Sequence, residues 1–81
     1  MVTDEMLRSE FLTIRNNIRY YRKQLHLTQE DLAEQADLST SYIKQIESEL
    51  DFKNISLSAL VKLSKALEIP IYQLFQEKNE D

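Results

Sequence analysis

Eighty-one residues with 14 acidic and 10 basic side chains, one proline and no glycine or cysteine fit a single domain, 1–81, with a core near the lower limit of self-sufficiency. Without cysteine there is neither a disulfide framework nor a thiolate metal site, and the one histidine, His26, cannot build a metal site alone. No apolar run approaches the roughly 20 residues that span a bilayer and no signal peptide is visible, so a cytoplasmic protein with no membrane role, metal or cofactor is expected.

The chain then reads as helices. Leu7, Phe11, Ile14, Ile18, Tyr21 and Leu25 recur at spacings of 4, 3, 4, 3 and 4, an apolar seam opened by Thr3 with Asp4 and Glu5 in the first turn. The second segment is TQEDLAEQA, in which Thr28 is an N-cap and Asp31, three residues on, closes a capping box. Its inner side is Leu32, Ala33 and Ala36. In LSTSYIKQIE, Ser39 opens a third helix with Ile43, Ile46 and Leu50 on one side. The other side carries Ser41, Lys44, Gln45 and Ser48, with Thr40 at its edge. Ser56 caps a fourth helix that is expected to bury Leu57, Leu60, Val61, Leu63 and Leu67. Pro70 starts a fifth, IYQLFQEK, because proline fits a first turn. No alternating run supports a strand, and the expectation is an all-α domain of five helices.

Between Gln35 and Ser39 there is room only for a short turn, so the second and third helices cross at a large angle. Ala33 is small where they come closest. Such a pair lets its second helix project into a major groove.

These residues carry a resemblance. The run LTQEDLAEQADLSTSYIKQIE resembles the helix-turn-helix of lambda-repressor-like, Xre-type DNA-binding proteins, at Leu27, Thr28, Gln29, Leu32, Ala33, Leu38, Ser39, Ile43, Ile46 and Glu47. The likeness extends through Ile18, Arg19 and Arg22 upstream and ISLSALVKLSKALEIPIYQLF downstream, covering about residues 14–75, with the helix-turn-helix at about 28–50. In size the chain is similar to restriction-modification controller proteins and small phage or mobile-element repressors. The resemblance implies a compact five-helix fold and a sequence-specific regulator that binds double-stranded DNA. Where the family often has glycine, this chain has His26, Asp37 and Glu49. Asp and His tolerate positive φ better than most residues, whereas Glu49 suggests that the third helix runs on to about Leu50 or Asp51.

The resemblance also implies roles. Gln29 touches a phosphate from the first turn of the second helix. Thr40, Ser41, Lys44 and Gln45 face base edges, where Gln pairs with adenine and Lys with guanine. Lys53 and Asn54 hold the DNA backbone, and Arg22 and Glu47 form an internal ion pair joining the first and third helices. In the last helix Leu74, Ile71, Phe75 and Tyr72 cover an arc of about 160°, wider than one core-facing stripe. Leu74 closes the core, which leaves Ile71, Tyr72 and Phe75 for a homodimer whose two-fold axis matches a near-palindromic operator.

Charge argues the other way. The net charge of −4 comes chiefly from residues 28–54, with two basic and seven acidic groups, and the basic footprint usual for nucleic-acid binders is missing. Glu30 and Asp31 serve the second helix's dipole and cap, and Glu47 is offset by Arg22, which still leaves Glu34, Glu49 and Asp51 among the acids with few cations to balance them. The alternative is a protein-interaction module on the same scaffold, antitoxin-like or an anti-repressor partner, whose acids face a basic protein. An enzyme is not expected: there is no glycine-rich phosphate loop, no cysteine, and no histidine near a Ser–Asp pair. No small-molecule ligand is evident.

Overall fold

The structure, a computed structural model, describes residues 1–48 and 55–78. They form four α-helices, α1 (Asp4–Gln24), α2 (Gln29–Ala36), α3 (Thr40–Glu47) and α4 (Leu57–Ala66), followed by a 3₁₀ helix at Ile71–Phe75. All four α-helices are opened by a hydroxyl. Thr3, Thr28, Ser39 and Ser56 accept from the backbone N–H groups of Met6, Asp31, Tyr42 and Ala59. At Thr28 the capping box is complete, because Asp31 Oδ2 accepts the Thr28 N–H at 3.0 Å.

Three helices end alike, on a non-glycine residue in the left-handed region: His26 (φ 58°), Asp37 (φ 57°) and Glu68 (φ 63°). In each case the next amide reaches back five residues, from Leu27 to Arg22, Leu38 to Ala33 and Ile69 to Ser64. That apolar residue then packs against the core. The reversals after α1 and α2 fall where positive φ was anticipated; the one at Glu68 was not.

One core joins the helices. Ile18, Leu32, Ile43, Leu63, Leu67 and Leu74 are its largest fully buried side chains. No helix among the described residues is long and apolar enough to cross a membrane.

Three expectations need correction. The fifth segment is a five-residue 3₁₀ helix, not an eight-residue α-helix, and Gln76 is already extended. Its carbonyls find a side-chain partner instead: Asn17 Nδ2 donates to the carbonyls of Gln73, Leu74 and Gln76 at 3.2, 2.8 and 2.8 Å. Secondly, α3, expected to continue to about Leu50 or Asp51, ends at Glu47. Ser48 turns to an extended conformation, and Arg15 Nη1 reaches the final helical carbonyl, that of Glu47, at 3.3 Å. Glu49, Leu50 and Asp51 themselves lie outside the described residues. Thirdly, Leu57 and Val61 are 72% and 39% exposed. Both lie two residues, about 200° of helix, from buried Ala59, so a helix that buries Ala59 and Leu63 must turn them outward. The apolar seam of α1 is buried at Ile14 and Ile18, half-buried at Phe11 and Tyr21, and 42% and 36% exposed at Leu7 and Leu25.

Candidate nucleic-acid interface

The α2–turn–α3 unit is built around small residues. Ala33 and Ala36 are buried on the inner side of α2, and the left-handed Asp37 sends the chain back so that the Leu38 N–H meets the Ala33 carbonyl at 2.9 Å. Ser39 then starts α3. Ile43 and Ile46 are buried beneath that helix, while Ser41, Lys44 and Gln45 are exposed and Thr40 and Ser48 half-buried. From below, Tyr42 ties α3 to the start of α4 by accepting the Ser56 N–H at 3.3 Å. The outer face is thus a short polar ridge on a helix fixed at both ends.

The inner end of α3 is fixed by charge. The Arg22 guanidinium donates from Nε to Glu47 Oε2 at 2.8 Å and from Nη2 to Oε1 at 2.9 Å, and its Nη1 reaches the Leu27 carbonyl at 2.8 Å. Both residues are buried, at 9% and 7% exposure, so the Glu47 charge is spent inside the fold and not presented at the surface. Gln29 joins this network, its Nε2 donating to Glu47 Oε1 at 3.1 Å. Because a carboxylate only accepts, the amide nitrogen must face Glu47, leaving the second N–H of that nitrogen as the donor for an outside group. Arg19, Lys44 and Ser48 line an open cleft with Thr28, Gln29, Glu30 and the edge of the Arg22–Glu47 pair, so Arg19 and Lys44 lie beside the N-terminus of α2 together with the acid Glu30.

The first turn of α2 is acidic, and Asp31 stays ionised there. Its carboxyl is held below the ordinary 3.8 by the Thr28 backbone N–H and then by the Thr28 hydroxyl, against a small opposing effect of burial. Asp31 therefore belongs to the cap.

Of the residues singled out in the sequence, Gln29, Thr40, Ser41, Lys44 and Gln45 come together on the α2–α3 unit. Lys53 and Asn54 lie outside the described residues. On the other flank Ile71 is half-buried, Tyr72 and Phe75 are 57% and 44% exposed, and Leu74 is fully buried. Sequence reasoning missed Asn17, the buried hub of the 3₁₀ helix. Its one signal was a polar residue set directly against the Ile14–Ile18 seam.

The family model described as helix-turn-helix matches residues 18–74. The chain belongs to the helix-turn-helix family. It is 36% identical over 67 residues to the HTH-type transcriptional regulator SinR of Bacillus subtilis (strain 168), covering 83% of this chain and 60% of SinR. To the control protein C.SmaI of Serratia marcescens it is 39% identical over 67 residues, covering 79% of this chain and 77% of that protein. The crystal structure of SinR in complex with DNA superposes with a TM-score of 0.71 at 33% identity, covering 78% of this chain and 98% of that one. This helix-turn-helix chain therefore spans about 60% of the length of SinR, and the likeness concerns the domain that contains α1 to the 3₁₀ helix.

Proposed function

We propose that this chain is a transcriptional regulator that binds double-stranded DNA in a sequence-specific manner, laying the outer face of α3 in the major groove. The observation that carries the reading is the exposed ridge of Ser41, Lys44 and Gln45 on a helix braced by the buried Arg22–Glu47 pair. Lys44 reads guanine and Gln45 adenine, Thr40 and Ser41 contact neighbouring edges, and Gln29 holds a phosphate beside the N-terminus of α2. Lys53 and Asn54 contact the backbone. Ile71, Tyr72 and Phe75 join two copies on a near-palindromic operator, with half-sites about 34 Å apart. No catalytic step belongs to this function, and it is carried out in the cytoplasm, where the DNA is.

The acidity of residues 28–54 favours a second reading, a protein-interaction module on the same scaffold whose acids face a basic protein. Binding-site selection from random duplex DNA at two salt concentrations separates the two. A regulator enriches a near-palindromic site, with a shallow salt dependence set by its few phosphate contacts. A protein-interaction module enriches no sequence at either salt.

A further inference from the structure

The first ten residues of the chain are all exposed, although α1 has already begun at Asp4. Leu7 lies seven residues, roughly 10 Å along the axis, beyond Ile14 and faces the same way. α1 thus overhangs its own core on the core-facing side, with Met6 at 54% and Leu7 at 42% exposure. Two turns of helix that bury no side chain gain little from the core, and here they also present apolar side chains to solvent.

A second uncovered patch lies on the same side of α1. Positions 6, 10, 13, 17 and 20 form one row of the helix, and Asn17 in that row donates to the carbonyls of Gln73, Leu74 and Gln76. The 3₁₀ helix therefore sits against the row that begins at Met6. Its Tyr72 and Phe75 are 57% and 44% exposed, so the chain's own overhang does not cover them.

Taking about 150–250 Å² for an aromatic side chain, the two rings expose on the order of 200 Å², a fraction of the ~800 Å² that each partner of a standard interface buries. Met6 and Leu7 roughly double that apolar area. Neither patch suffices alone. Together they give each partner on the order of 400 Å² of apolar surface, close to the apolar share of a ~800 Å² face, and across a two-fold axis the aliphatic overhang of one chain meets the aromatic pair of the other.

We propose that the first two turns of α1 are a dimerisation arm, with Met6 and Leu7 packing on Tyr72 and Phe75 of a second copy of this chain. The proposal rests on the dimeric reading above and adds a surface that lies before the family-matched residues 18–74. The arm sets the strength of the dimer, and through it operator affinity, without touching the recognition ridge.

Sedimentation equilibrium on wild type, Met6→Glu/Leu7→Glu, Phe75→Glu and their combination tests it. The arm variant is expected to dimerise about tenfold more weakly or worse. The combination should lose less than the product of the two effects, because both remove one contact. Met6→Ala/Leu7→Ala, which keeps helix propensity, must weaken the dimer in the same direction even if the glutamates fray the arm. An arm variant that dimerises like wild type, or effects that multiply fully, overturns the arm while leaving the dimer and its DNA reading intact. A wild-type chain that is monomeric at tens of micromolar overturns the arm and the dimeric operator together, and leaves DNA binding by a single domain to be read from the selection experiment.

Discussion

Arg22 and Glu47, 25 residues apart, meet through two hydrogen bonds of 2.8 and 2.9 Å inside the domain. Arg22 closes the last turn of α1 and Glu47 the last turn of α3, so this contact sets the inclination at which α3 leaves the core. The two remaining directions are filled as well, by the Leu27 carbonyl on one side and the Gln29 amide on the other. A buried charge pair of this kind specifies geometry more than it stabilises, because desolvation offsets much of the Coulomb gain.

Removing either partner leaves a buried charge uncompensated. Arg22→Met or Glu47→Leu alone should destabilise the fold by about 3–5 kcal/mol, and the double replacement should recover a substantial part. A double-mutant cycle in urea melts reads the coupling directly. Additive losses would show that the two side chains act as independent solvated groups.

The capping box gives the fold one defined acid dependence. The folded pKa of Asp31 is depressed below 3.8, so its contribution is complete above that value and fades as pH falls through the lower, folded one. Melts followed from neutral pH down to about pH 2 should lose stability across that window, and Asp31→Asn should flatten this part of the profile. An unchanged profile in the Asn variant would assign the acid transition to other carboxylates.

Glu68 carries backbone strain that Asp37 and His26 bear more easily. A β-carbon in the left-handed region costs about 1–2 kcal/mol, least for Asn, Asp and the like. Glycine relieves that strain but gives some of it back as unfolded-chain entropy. Glu68→Gly should therefore stabilise by up to about 1 kcal/mol, more than Asp37→Gly does. Equal gains at the two positions in thermal melts would refute the strain argument.

Much of this fold was legible because its signals are local. A hydroxyl followed by an apolar 3–4 pattern located every α-helix start, and Asp37, in the short Gln35–Ser39 connection, takes the positive φ that its residue type allowed. What was not legible depends on partners distant in sequence. The 3₁₀ helix is short because Asn17, 57 residues before Leu74, takes its carbonyl, and α3 stops at Glu47 where Arg15, 32 residues away, meets the last carbonyl. The exposure of Leu57 and Val61 follows from which arc of α4 the core selects, and hydrophobicity alone did not distinguish the arcs. At the candidate interface, the outward set of α3 followed from periodicity, whereas the hydrogen bond from Gln29 to Glu47 required the folded geometry.

The last expectation concerns the ridge itself. Lys44 and Gln45 are both exposed on α3, one residue apart and so about 100° around the helix, which lets them address neighbouring base pairs. Neither side chain supports the core, so replacing them should leave thermal stability within about 0.5 kcal/mol of wild type. On the selected operator, Lys44→Ala and Gln45→Ala should each cost about 1–3 kcal/mol and relax preference at one defined base pair. Affinity for unrelated duplex should fall only for Lys44→Ala, which also removes a positive charge and so lowers the salt slope by about one. The measurement is a matched set of titrations on the operator, on its single-base variants and on random duplex. Undiminished affinity and preference in the double alanine chain would exclude the outer face of α3 as the reading surface.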